Sequence, residues 1–464
     1  MKLDKWGYAV NTSSEACINA INSYYLQVLT YGRQRKVILD APKHDPHCVL
    51  GNILAAHYLS SIDSSHASPL IEAAKACLAD ASLYEKAVFD TVNYLMSPDR
   101  DDDIAVEFHF KLLKDFPKDL VSLKRVQILC FYMGRADLSL NLVQQVLPIN
   151  EHEKYVYGML AFPLLELGRF EDAEKAAKKG FEIDNEDPWV QHAICHVYQF
   201  QCRFEEAMKF MVDCSNSWKS LSSFMNTHNW WHVALCLLEG SSPIQRVRDI
   251  YDKKIWKELE KKDATPAEVY LNAIGLLLRI YVRGEIESFE DQFKVLAKCL
   301  TDEIYWFLEW HLDLLILWAL SCSGEVAKAE KLLQGLETRL SRLSQKKQDL
   351  MKRALTLAKA MYNYGKGDNE QALDLFGHEF DVINCKIIGA SDEQLDVFND
   401  IYISLLLNTG RAEQAIQFIQ KLLQKREGSP FLWRLLERAY STLGMNEAAN
   451  AGAKAKELEG AYFT

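Results

Sequence analysis

The chain has 464 residues, 49% of them apolar and 25% charged, and a formal net charge of −11. This is an ordinary composition for a folded protein without low-complexity linkers. The acidic balance reads against a phosphate-tracking surface, so nucleic acid is not an expected partner. Eleven cysteines sit singly with no CxxC pair, as reduced thiols do in a reducing compartment. The start, Met1 to Val10, carries Lys2, Asp4 and Lys5 but no apolar core of signal-peptide length, and the most apolar segment, 304–320, is interrupted by Glu309, His311 and Asp313. The expectation is a cytoplasmic protein with no membrane partner.

In chain order, residues 1–85 read as an N-terminal helical cap, with Asp45-Pro46 followed by a helical run to Leu59. From residue 86 the chain repeats at 34. Ala105, Ser139, Ala173 and Ala207 share one position of the repeat, and Arg100, Gly134, Gly168 and Cys202 another. A small residue where two helices touch, five residues after a helix-ending turn, is the tetratricopeptide signature. The turn at Gly168 sets the register, because glycine closes a helix in the left-handed region and Ala173 lets the next helix approach. Units follow at 86–119, 120–153, 154–187 and 188–221, the last placing Pro188 in a first helical turn. Further turns are expected at Gly240, Gly324, Gly367, Gly410 and Gly444, and the run 335–361 reads as a long, solvated helix pair. The fold class is all-α: a tetratricopeptide-like right-handed superhelix, an α-solenoid of about ten to twelve helix pairs. Segments 86–240 and 241–464 are taken as the regular units and as further pairs with longer helices.

In such a unit, residues two, five, nine and twelve of the first helix line the inner face. These are Trp189, His192, His196 and Gln199 in one unit, Tyr155, Gly158, Phe162 and Leu165 in the one before, and Val121, Lys124, Ile128 and Phe131 before that. The next unit carries His228-Asn229-Trp230-Trp231-His232, and the turn at Gly324 puts His311 at an inward position. Histidine and tryptophan so placed could bind a polar aromatic or anionic ligand, or the histidines could perform acid/base chemistry; the plainer reading is hydrogen-bonded packing. Both His192/His196 and His228/His232 have the HxxxH spacing of metal ligands, but no HExxH glutamate accompanies the first pair. Neither a metal nor a cofactor is expected. Lys124 alone fits a clamp for an acidic peptide tail, which is disfavoured.

The segments 157–162, His192 to Val197 with Arg203, 228–235, and Ser391 to Phe398 resemble the tetratricopeptide-repeat protein 38 family over nearly the whole chain. The resemblance implies a cytosolic helical superhelix in which His192, His196, His228, Trp231, His232 and His311 form a shared inner constellation. Two departures stand out: Gln199 replaces a typical glutamate, and Asp392 replaces a typical histidine. Winding of the superhelix could bring Ser391, Asp392, Gln394 and Asp396 over the same pocket. The leading expectation is a binder of a small-molecule ligand or protein partner through Tyr155, Phe162, Trp189, Gln199, Trp230, Trp231, His311, Ser391, Gln394 and Asp396. The alternative is an enzyme acting on a small metabolite through His192, His196, His228, His232 and Asp392. The sequence leaves the oligomeric state open.

Overall fold

The computed structural model describes residues 1–60, 62 and 64–463, residue 64 by its main chain alone. Among these residues are 24 α-helices, and the only sheet is a two-stranded hairpin pairing Lys2–Leu3 with Ala9–Val10. The fold is an all-α solenoid of tetratricopeptide-like helix pairs. Regular units are pairs of contacting helices: Leu83–Leu95 with Asp102–Asp115, Leu120–Tyr132 with Ala136–Asn150, and Val156–Glu166 with Phe170–Ile183; the helices Pro188–Phe200 and Phe204–Cys214 follow. Longer helices follow, among them Ser223–Glu239, Pro266–Val282, Trp310–Cys322, Gln345–Gly365 and Asp392–Asn408. By its internal contacts the chain divides into two compact units, Met1–Ala193 with Ser220–Ser222, and Ile194–Lys219 with Ser223 onward.

The repeat chemistry explains where the helices stop. Gly134, Gly168, Gly324, Gly367, Gly410 and Gly444 all have positive φ, and Cys202 takes the same left-handed conformation at φ 55°. At Gly168 the cap is closed by two main-chain bonds, Gly168 N–H to Leu165 O at 2.8 Å and Arg169 N–H to Leu164 O at 2.8 Å. Five residues on, Ala105, Ala173 and Ala207 are fully buried between helices. Where the repeat has Arg100, for which left-handed backbone is costly, a Ser97–Arg100 turn replaces it, and Asp101 caps the next helix through Asp103 N–H and Ile104 N–H.

Two local expectations are corrected. At Gly240 the left-handed residue is Ser241, φ 58°. Gly240 instead makes room for Phe463, whose ring would lie 2.5 Å from an added Cβ. Tyr155 is not the second residue of a helix but stands before one, at φ 72°, because the turn at 151–154 delays the helix until Val156. The run 335–361 falls on a helix pair, as expected: one helix ends at Ser341, and Ser344 caps Gln345–Gly365 by accepting from Lys347 N–H. Gly284, φ 77°, adds a turn that the period does not mark.

The cap and the close approach can be tested separately in urea. Gly168→Ala is expected to cost about 1 kcal/mol by forcing a Cβ into left-handed backbone. Ala173→Leu, which overfills a closed helix contact, is expected to cost about 1–3 kcal/mol.

Candidate functional site

Asp187 starts the Pro188–Phe200 helix: its Oδ1 accepts Trp189 N–H at 2.9 Å. The helix presents Trp189, His192, His196 and Gln199 at the expected spacing, and the last three are buried. Trp189 and His192 belong to the first unit, where their rings stack at 4.5 Å and 14°. Phe162 lies 4.7 Å from Trp189, and Tyr31, which the repeat register does not reach, lies 5.1 Å from it. Lys124 is buried with Nζ 3.1 Å from the centre of the Tyr31 ring, and it donates to Leu29 O at 3.3 Å. Burial holds this ammonium well below its ordinary pKa.

In the second unit the Ser223–Glu239 helix is buried on all sides, as expected for a helix apolar around most of its circumference. Its first turn is satisfied by acids from other segments. Phe224 N–H donates to Glu268 at 2.6 Å, while Ser223 Oγ and Asn226 Nδ2 donate to Glu258 at 3.1 and 2.8 Å. This fixes the register of His228 and His232. The two imidazoles lie 4.8 Å apart, and His232 lies 4.6 Å from His196. One ring nitrogen from each of His196, His228 and His232 falls within 4.8 Å of the others.

Each imidazole has a neighbour at Nδ1, by hydrogen bond at His228 and His232 and by an ion-pair contact at His196. His196 Nδ1 meets Glu393 Oε2 at 2.6 Å, His228 Nδ1 meets Asn272 Oδ1 at 2.9 Å, and His232 Nδ1 meets Gln199 Oε1 at 2.6 Å. The Asn272 amide is itself pinned, because its Nδ2 donates to Glu268 O and Thr227 Oγ1. Its Oδ1 therefore faces His228, Nδ1 carries the proton and the lone pair is on Nε2. Trp231 stacks on His228 at 5.1 Å and 12°, with the Arg279 guanidinium 5.0 Å from its ring. Burial pushes His228 down to about 4, so it is neutral near pH 7. His311 is buried, its Nδ1 has no partner among the described residues, and burial with the nearby charge of Arg279 pushes it down to about 3.

The Asp392–Asn408 helix sorts its first residues by role. Ser391 and Gln394 form a reciprocal capping box, Ser391 N–H to Gln394 Oε1 at 2.9 Å and Gln394 N–H to Ser391 Oγ at 3.3 Å. Asp392 pairs with Lys386 at 2.9 Å. The carboxylate that reaches a histidine is Glu393, one residue on. Asp396 accepts from Arg426 and Asn399. Burial alone would push Asp396 up, but these partners and Arg279 outweigh it and hold it below its ordinary range. Trp230 points away from the histidines, edge-on to Trp218 at 5.2 Å with Lys254 4.5 Å from its ring. The repeat register reaches none of Glu393, Asn272 and Arg279. The Ser391-x-x-Gln394 box is the signal that could have placed Glu393 in a first helical turn.

No family model matches the chain. Among solved structures, the human IFIT1 dimer with m7Gppp-AAAA is similar over 97% of this chain and 92% of that one, at 14% identity and TM-score 0.37. A MamA mutant is similar over 36% of this chain and 92% of that one, at 22% identity and TM-score 0.26. The Naa15/Naa10 complex bound to HypK-THB shares 13% identity over 81% of this chain and 64% of that one, at TM-score 0.25. These likenesses concern the helical-repeat fold. One expectation is withdrawn: the similar IFIT1 structures hold m7Gppp-AAAA and PPP-AAAA, and nucleic acid is no longer excluded as a partner. Among the described residues no helix is long and apolar enough to cross a membrane.

His311 makes the burial measurable. A histidine whose folded pKa lies below its unfolded value favours folding fully above pH 6.5, and that contribution is lost as pH falls from about 6.5 toward about 3. His311→Gln cannot protonate, so its unfolding free energy, followed by urea titration across that window, is expected to fall less steeply with acid than that of the natural chain. An unchanged slope would show that His311 is solvated.

Proposed function

We propose that the chain binds a small anionic or polar-aromatic ligand at the histidine, tryptophan and arginine face of its second unit. The observation that carries this reading is the fixing of His196, His228 and His232 by three separate partners, with ring nitrogens within 4.8 Å of one another. Orienting hydrogen bonds on convergent buried imidazoles preorganise a site. Their burial, at 0–3% exposure, favours a small ligand over a protein surface. Arg279, buried beside Trp231, supplies positive charge for an anion.

The same proposal includes the tetratricopeptide-repeat protein 38 likeness, which rests on His228-Asn229-Trp230-Trp231-His232 and His192 to Val197. It also includes a cytosolic setting, supported by the eleven cysteines, all present as free thiols. A second reading, acid/base catalysis on a small metabolite, is favoured by the His196–Glu393 contact at 2.6 Å, since a carboxylate on Nδ1 orients an imidazole and raises its basicity.

The test is a thermal-shift screen of the full chain against carboxylate and phosphate metabolites, with each stabilising compound then followed by NMR for conversion. The expected result is an upward shift with at least one compound, lost in His232→Ala and Trp231→Ala. Conversion that disappears in His196→Gln, with the shift retained, would favour the enzyme. Equal shifts in all variants, or none in the natural chain, would contradict the site.

A further inference from the structure

We propose that His196, His228 and His232 bind one divalent transition-metal ion of the zinc class, an inference that rests on the site described above but not on the identity of its ligand. Three features carry it. The donor set is chemically suited: neutral imidazole is a borderline ligand that takes zinc, and three histidines with a fourth open position are a known tetrahedral arrangement. The donor atoms are close enough. A tetrahedral centre with bonds of about 2.05 Å separates its nitrogens by about 3.3 Å, so ring nitrogens within 4.8 Å reach it by small side-chain movements.

The third feature is what the far ring nitrogens touch. A ligating histidine characteristically gives its other ring nitrogen to a carboxylate or carbonyl oxygen, which sets the tautomer and increases basicity. Two of the three do so, His228 to Asn272 and His232 to Gln199, while His196 Nδ1 lies 2.6 Å from Glu393 Oε2 in an ion-pair contact. At His228 the pinned Asn272 amide requires the lone pair on Nε2. Packing alone calls for no common pattern, since a buried histidine is satisfied by any nearby carbonyl, as His109 is by Ala105 O at 2.7 Å. Asn229, between the two histidines of the Ser223 helix, is fully buried with neither amide atom partnered among the described residues. A buried amide so placed is costly, and it adds polar capacity within one helical turn of both histidines.

An ion so held, with Arg279 beside Trp231, adds positive charge for an anionic ligand. This gives the proposed ligand site an electrophile.

The experiment uses the full chain without a histidine tag, stripped with a chelator and titrated with Zn²⁺ by calorimetry; Co²⁺ absorption reports the coordination geometry. The expected result is one equivalent bound with Kd below about 1 μM, a tetrahedral Co²⁺ spectrum, and loss of both in His228→Ala and His232→Ala. Because those variants remove buried groups, Glu393→Gln is the second probe. It keeps every ligand, and the expected loss in Zn²⁺ affinity is about 10–100-fold. Absence of stoichiometric Zn²⁺ binding, or affinity unchanged in both Glu393→Gln and His232→Ala, would overturn the metal site. If metabolite-induced shifts persist in chelator and still depend on His232, the metal inference fails while the ligand reading stands.

Discussion

Arg279 is the residue on which the second unit's site depends. It is buried, and a guanidinium out of water is tolerable only where donors and charge are matched. Here they are. Arg279 Nη1 donates to Gly275 O at 3.2 Å, and Nη2 donates to the main-chain oxygen of Glu393. The charges of Asp396 and Glu239 act on the guanidinium from the surrounding helices and offset part of the burial that holds its pKa below the ordinary value. The bond to Glu393 ties the first turn of the Asp392 helix to the Pro266 helix, and so sets the Glu393 carboxylate against His196. Around this point Arg283 and Arg426 both pair with Glu239, at 2.5 and 3.3 Å, and Arg426 also pairs with Asp396. A network of this kind confers one arrangement rather than much net stability, because desolvation offsets most of the Coulomb gain. Asp400 shows the cost: burial and the nearby Asp396 push it up to about 8.

The histidines are held by a different logic. Their partners come from the Pro188, Pro266 and Asp392 helices, so three elements must be in place before all three rings are oriented. Helix capping makes that possible locally. Asp187 starts one helix, Glu258 and Glu268 satisfy the start of another, and the Ser391–Gln394 box starts the last. Each cap sets the phase of its helix, and a phase error of one residue would turn a histidine or Glu393 by about 100°.

That sensitivity explains what the sequence does and does not disclose. The period of 34 is legible because it is written in local chemistry, a left-handed glycine followed by an alanine, and six glycines take the conformation it demands. Gly240 misleads because its reason is tertiary, room for Phe463. The stripe from Trp189 to Gln199 is legible from helical spacing, and so is the Gln199 position that meets His232. Glu393 is not. It reaches His196 from far along the chain through a contact set by Arg279, while its neighbour Asp392 turns to Lys386. Asn272 lies on a mostly apolar helix outside the regular 34-residue units, and its role appears once the Ser223 helix is packed against it.

The central claim is that these imidazoles are oriented for a ligand at Nε2 rather than merely packed. Long-range ¹H–¹⁵N correlation on histidine-labelled protein near pH 7 reads this directly, since protonated and unprotonated ring nitrogens resonate far apart. The account predicts that His196, His228 and His232, assigned by single substitution, have the proton on Nδ1 and an unprotonated Nε2. The Nε2–H tautomer in His228 and His232, or averaged signals of freely exchanging rings, would contradict it.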